Sequence, residues 1–322
     1  MRFLSKFYID GFILSILAMV VLASVFPARG EAAEIVSGLT KIAIGFLFLL
    51  YGARLAPQEA IAGLKHWRLH LTVLACTFVL FPLIGLAARV LEPHVLTKDL
   101  YTGVLFLCLV PSTVQSSIAF TSIAKGNVAG AIVSATVSNL LGVFLTPALV
   151  ILLMNTTGQA SVDPSAVVDI VLQLLVPFFL GQLIRPRVKG LLSRYAEPTK
   201  LVDRGSILLV VYSAFSAGMV EGIWHAMSPW RILALAVVCC VILAIVLVAT
   251  GFLGEAVKFD RADRIVVVFC GSKKSLATGL PMATVLFAGH SVGLVVLPLM
   301  MFHQIQLITC AALAQRWART AP

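Results

Sequence analysis

Two lysines stand in succession inside an otherwise apolar stretch, Cys270-Gly271-Ser272-Lys273-Lys274-Ser275, whose flanks run from Ile265 to Cys270 and from Leu276 to Phe287. Charges placed that deep in a hydrophobic window are costly and mark a functional site by default. All 14 acidic residues fall in connections or near the ends of apolar windows. Neither ammonium therefore has a carboxylate to pair with, and the missing anion is the expected ligand. A helix beginning near Ser272 would add free amides and a positive dipole end, which together attract a carboxylate, sulfate or phosphate. The alternatives are lysines that snorkel to a headgroup layer and a lysine left uncharged.

A second polar island reads Val110-Pro111-Ser112-Thr113-Val114-Gln115-Ser116-Ser117. Pro111 has no N–H and clashes with the turn before it, so a helix is expected to break there. Backbone groups freed within a bilayer need a cavity or a neighbouring helix. The candidate substrate-binding residues are therefore Pro111, Ser112, Thr113, Gln115 and Ser116 with Gly271, Ser272, Lys273, Lys274 and Ser275. The competing explanation of the first island is a proline kink whose hydroxyls bond back to the preceding turn.

The elements holding these islands follow from composition. The 322 residues are 60% hydrophobic and 12% charged, against roughly 45–50% and about 25% in soluble domains, which excludes a soluble enzyme or a nucleic-acid-binding module. With about 20 residues per membrane span, apolar windows fall at 8–26, 35–53, 69–91, 101–124, 128–154, 166–184, 201–220, 232–254, 265–287 and 291–314. Asp10 and Gly11 interrupt the first run, which reads as an uncleaved helix rather than a signal peptide. With ten spans, 17 of the 24 lysines and arginines lie on the side of the two termini and five on the other. Positive loops stay inside, so both termini are expected in the cytoplasm.

The polar stretch 155–164 divides the windows five and five, giving repeats 1–154 and 155–322. An odd number of spans per half inverts the second half, a plan found in secondary transporters. Spans four and nine carry the two islands, each followed by a short turn, 125–127 and 288–290. Ser117-Ile118-Ala119 and Ser275-Leu276-Ala277 echo one another beside them. Gly45 with Gly52, and Gly130 with Ser134, read as close-packing positions. The basic stretch 185–204 reads as a topology-setting loop against anionic lipid. Trp67, Trp224, Trp230 and Trp317 read as interfacial anchors, and the six cysteines, lacking paired spacing, as small buried hydrophobes.

The stretch from Pro111-Ser112-Thr113 through Ala124-Lys125-Gly126-Asn127-Val128-Ala129 to Ser134-Ala135-Thr136-Val137-Ser138-Asn139-Leu140 and Thr146-Pro147 resembles the bile acid:sodium symporter family in its bacterial branch, over essentially the whole chain. The resemblance implies an all-α protein of the bacterial inner membrane with ten helices in two inverted five-helix repeats. Broken helices 4 and 9 would cross near the bilayer midplane, with a panel domain of spans 1, 2, 6 and 7 and a core of spans 3–5 and 8–10. It also implies organic-anion uptake driven by sodium. Carried over position by position, the family's sodium ligands leave Ser117, with Thr77 near a third-span position, as candidate metal residues. Ile118, Ala131, Ala135, Phe269 and Lys273 stand where the family has asparagine, hydroxyls, glutamate and glutamine. Two fixed ammonium groups, Lys273 and Lys274, would then replace two bound cations.

The expected function is secondary transport of an organic anion, either sodium-coupled or, with the lysines in place of the ions, sodium-independent or proton-linked. A lysine-dependent membrane enzyme would need a general acid or base partner. His66, His70, His94, His225, His290 and His303 lie mostly at connections or span ends. A purely structural subunit would leave two polar breaks in its spans unexplained. The expectations are no catalytic residue, no cofactor other than a possible sodium ion, a small organic anion and membrane lipid as partners, no nucleic acid, and a monomer or weak homo-oligomer.

Overall fold

A computed structural model describes residues 11–54, 66–157, 168, 171–220, 222, 228–288 and 291–320. Among the described residues there is no strand. The helices are α1 (Gly11–Val25), α2 (Glu31–Arg54), α3 (Trp67–Leu91), α4 (Lys98–Leu109), α5 (Gln115–Ile123), α6 (Val128–Thr157), α7 (Val171–Arg194), α8 (Ala196–Val220), α9 (Pro229–Ala256), α10 (Arg261–Gly271), α11 (Leu276–Leu286) and α12 (Val292–Arg319). Seven of these, α2, α3, α6, α7, α8, α9 and α12, are long and apolar enough to cross a membrane. α4 and α5, of 12 and 9 residues, and α10 and α11, of 11 each, are consecutive short helices separated by non-helical segments at the two polar islands. The chain is thus an all-helical integral membrane protein.

Each interruption has a local cause. Val110 leaves helical geometry at ψ 156°, as a residue before proline must. Within α3, Cys76–Leu80 forms a π turn in which the Phe81 N–H bonds the carbonyl of Cys76. The next residue is Pro82, which has no N–H, so the Thr77 carbonyl has no donor along its own helix.

Two compact units are present. One contains α1, α2, α7, α8 and Leu280–Leu294. Inside it α2 and α7 touch backbone to backbone: a Cβ on Gly52 would stand 2.0 Å from the Phe178 carbonyl oxygen, and one on Gly181 2.1 Å from that of Leu49. Gln182 seals the contact by donating to the Gly52 carbonyl at 2.7 Å, and Arg54 pairs with Asp203 of α8. The other unit contains α3–α6, α9, α10, the first turn of α11 and Val295–Pro322. Its interior includes Leu69, Val73, Cys76, Ala131, Ala135 and Val266 in one cluster and Phe120, Ile265, Phe269, Cys310 and Ala314 in another.

Several boundaries differ from the expected windows. The stretch 185–204 is helix rather than loop: α7 continues to Arg194 and α8 starts at Ala196, with the turn at Tyr195. The 125–127 turn is tight, Lys125 adopting φ +57°, and Asn127 is fixed by donating to Asp263 at 2.7 Å. Five cysteines are buried and Cys240 is exposed. Trp67 and Trp230 are exposed at the starts of α3 and α9, whereas Trp317 packs on Phe269 with ring centroids 5.4 Å apart. Arg2, Lys6, Lys65, residues 158–164, Trp224, His225 and His290 lie outside the described residues.

Candidate functional site

Breaking two helices inside an apolar protein liberates backbone carbonyls and amides that must find partners. At the first break the Leu109 carbonyl accepts from Thr146 Oγ1 at 2.9 Å, and the Ser112 N–H donates to Ser138 Oγ at 3.2 Å. At the second, the carbonyls of Phe269 and Cys270 accept from Ser117 Oγ at 3.0 Å and Ser112 Oγ at 2.6 Å. The breaks also bond directly, the Ser275 N–H donating to the Pro111 carbonyl at 2.8 Å. Gln306 of α12 braces Lys274 twice, accepting from its N–H and donating to its carbonyl, both at 2.9 Å. His303 Nδ1 lies 2.8 Å from Gln306 Nε2. The hydroxyls of the first island therefore bond across to the second as well as along their own chain.

Lys274 completes this set. Its Nζ donates to the carbonyls of Thr77, Cys108 and Val110 at 2.9, 2.9 and 2.8 Å and lies 4.1 Å from the centroid of the Phe81 ring. Each acceptor has its own reason for being available. Thr77 belongs to the π turn ahead of Pro82, and Cys108 and Val110 belong to the unfinished end of α4. An ammonium offers three N–H donors, and three carbonyls receive them. Hydrogen bonds from a charged group contribute about 1.5–3 kcal/mol each.

Lys273, also fully buried, differs completely. Its Nζ has no hydrogen-bond partner among the described residues. It lies 3.7 Å from the centroid of the Phe120 ring and 5.7 Å from that of Phe269, within reach of the negative ring faces.

All ten expected substrate-binding residues lie along the two breaks. Pro111, Ser112, Thr113, Gly271, Ser272, Lys273, Lys274 and Ser275 are buried, Ser116 is half-buried and Gln115 is exposed. Thr113 and Ser116 share a hydroxyl contact of 3.2 Å, and Ser275 bonds Thr278, which donates to Asn139 at 2.9 Å. The metal candidates have other engagements: Thr77 Oγ1 donates to the Val73 carbonyl at 2.9 Å and Ser117 Oγ to that of Phe269. Gln306, His303, Ser138 and Thr146 were not among the expected site residues. His303 sits inside α12, so its contact with the break escapes a reading that places histidines mostly at span ends. Gln306, an amide within the apolar window 291–314, was a signal available in the sequence.

A family model described as the SBF-like CPA transporter family matches residues 10–319. The chain is 55% identical over 315 residues to "Uncharacterized protein PA2026" of Pseudomonas aeruginosa, covering 98% of this chain and 94% of that one. It is 50% identical over 311 residues to "Putative symporter YfeH" of Escherichia coli K12, covering 97% and 93%. It is 28% identical over 318 residues to "Sodium/bile acid cotransporter 7-B" of Xenopus laevis, covering 96% and 91%.

Proposed function

The chain belongs to the SBF-like CPA transporter family, and from that premise we propose that it is a secondary transporter of an organic anion in which Lys274 stands permanently where a bound sodium ion would otherwise sit. The observation that carries this reading is the seat of three carbonyls at 2.8–2.9 Å around its Nζ. Backbone oxygens converging from the π turn of α3 and the open end of α4 are what a hard cation selects. Here they already hold an ammonium. The wild-type seat does not fit sodium, because the tethered ammonium of Lys274 already takes its three carbonyls and the positions expected to carry a glutamate and a glutamine are Phe269 and Lys273. Transport then proceeds without a sodium cycle.

In this reading the ten spans form two inverted five-helix repeats, with α4–α5 and α10–α11 as broken spans four and nine. The unit holding both breaks acts as the core, and the unit of α1, α2, α7 and α8 as the panel. The organic anion approaches from the Gln115 and Ser116 side of the first break, where side chains are accessible. The relatives named for bile acid transport make taurocholate the first anion to test, in the bacterial plasma membrane as the expected location.

The test is thermal stability of the purified protein in sodium against potassium. An ion that binds only the folded state, present at about 100 times its dissociation constant, adds about 2.7 kcal/mol, a shift that is easily read. The wild type is expected to melt at the same temperature in both salts. Lys274→Ala, which vacates the seat, is expected to melt lower and to acquire a sodium-specific rise. Saturable sodium-specific stabilisation of the wild type would overturn the reading.

A further inference from the structure

Two neighbouring lysines enter the same protein interior, and only one is held by hydrogen bonds. Removing a proton from Lys274 would turn a nitrogen lone pair toward a carbonyl oxygen and leave one of three acceptors unserved. Removing one from Lys273 breaks no hydrogen bond among the described residues, its nitrogen lying over the rings of Phe120 and Phe269. The titratable groups around Lys273 are Cys270 on α10, Cys310 and His303 on α12, and Lys274 itself. α5 contributes Phe120 and α9 contributes Leu247 to this region, neither of them titratable. Neither lysine forms an ion pair among the described residues.

A cavity adjoins these rings through Trp317. Trp317, in contact with Phe269, also lines a cavity of about 290 Å³ together with Arg261, Arg264, Val268 and Thr320. Arg261 donates to the Trp317 carbonyl at 2.8 Å, and Arg264 pairs with Glu255. Phe269 and Trp317, in ring contact with one another, thus join the surroundings of the buried nitrogen to the lining of the cavity.

We infer that Lys273 is the proton-exchanging residue of the core, so that movement of the anion is coupled to protons while Lys274 remains a fixed charge. In the exchange one N–H bond of the ammonium breaks, its electron pair stays on Nζ, and the proton passes to a water molecule, which becomes hydronium. The reverse step regenerates the ammonium. This inference rests on the sodium-independent reading and supplies its coupling ion.

The test needs no substrate. The full chain, with lysine side-chain nitrogens labelled with ¹⁵N and reconstituted in lipid, is followed by solid-state NMR between about pH 5 and pH 9, below the range in which exposed lysines lose their protons. One lysine nitrogen is expected to change from ammonium to amine across this interval and to be missing from Lys273→Met. That variant replaces a buried unpaired cation with an apolar chain and is expected to fold at least as stably as the wild type. Lys274 is expected to remain an ammonium throughout. A Lys273 signal of one form over the whole interval, or a titrating signal that survives in Lys273→Met, would overturn the inference. Its failure leaves equal melting in sodium and potassium intact. Failure of the sodium-free reading appears instead as a sodium-specific shift.

Discussion

At the scale of single residues, the site is a set of buried backbone groups served by side chains from elsewhere in the chain. The cost of a substitution should follow how many groups it strands. Ser117→Ala leaves only the Phe269 carbonyl without its donor and is expected to lower stability by about 1 kcal/mol. Gln306→Leu strands the N–H of Lys274 and removes the shorter of the two contacts to its carbonyl, leaving His303 Nδ1 at 3.3 Å, for an expected loss of about 1.5–3 kcal/mol. Lys274→Met strands three carbonyls and is expected to cost the most of the three. Thermal unfolding of the four proteins in one detergent should give the order wild type, Ser117→Ala, Gln306→Leu, Lys274→Met. Lys273→Met falling below Gln306→Leu would contradict the description of Lys273 as unpartnered. The lysine pair was visible in the sequence because charge inside an apolar window is unmistakable. The contrast between its members was not, because the acceptors of Lys274 come from positions 197, 166 and 164 residues away, a distance over which local pattern carries no information.

At the scale of elements, a break is kept open by the helices beside it. On α6, a Cβ at Gly142 would lie 2.5 Å from the Pro111 Cβ, so the first break rests directly on that glycine. Gly142→Ala must move either α6 or the Pro111 loop, and with it the Val110 carbonyl that holds Lys274. Its expected cost is about 1–3 kcal/mol, as for other overpacked sites. Gly205 of α8 meets nothing within 4 Å, so Gly205→Ala is expected to be neutral or to add up to about 1 kcal/mol through helix propensity. The same unfolding measurement separates the two, and equal effects would mean that Pro111 does not lean on α6. Pro111 and the lysine pair announced their two breaks, and Gly52 announced the close approach of α2. The π turn of α3 was not legible, because Cys76–Leu80 is apolar like its surroundings and Pro82 taken alone is compatible with an ordinary kink. The helical extent of 185–204 was missed for a related reason. Charge marks where a chain leaves the apolar layer, but α7 and α8 continue as helices after leaving it.

At the scale of the whole molecule, the distribution of basic residues makes a claim independent of the site. In the proposed ten-span arrangement Arg54, Lys125, Arg187, Arg194, Lys200, Lys258, Arg261, Arg316 and Arg319 would belong to the side that carries 17 of the 24 lysines and arginines, and Arg29, Arg89, Lys98 and Arg231 to the side that carries five. Such a bias fixes orientation when connections are short. Ten spans, with α4–α5 and α10–α11 each counted once, bring the C-terminus back to the side of Lys125 and leave Glu92 opposite. Green fluorescent protein fused after Lys125 or after Pro322 is therefore expected to fluoresce in bacteria, whereas fusion after Glu92 should be dark. Alkaline phosphatase at the same three points should show the reverse pattern. Counting each pair of short helices as two full spans would add one crossing in each pair, leaving the C-terminus on its side but placing Lys125 on the side of Glu92. The Lys125 fusion is thus the informative one: fluorescence there means that α4 and α5 cross once between them, which is the condition for the two breaks to sit at the same depth and for Lys274 to reach the end of α4 from within the membrane.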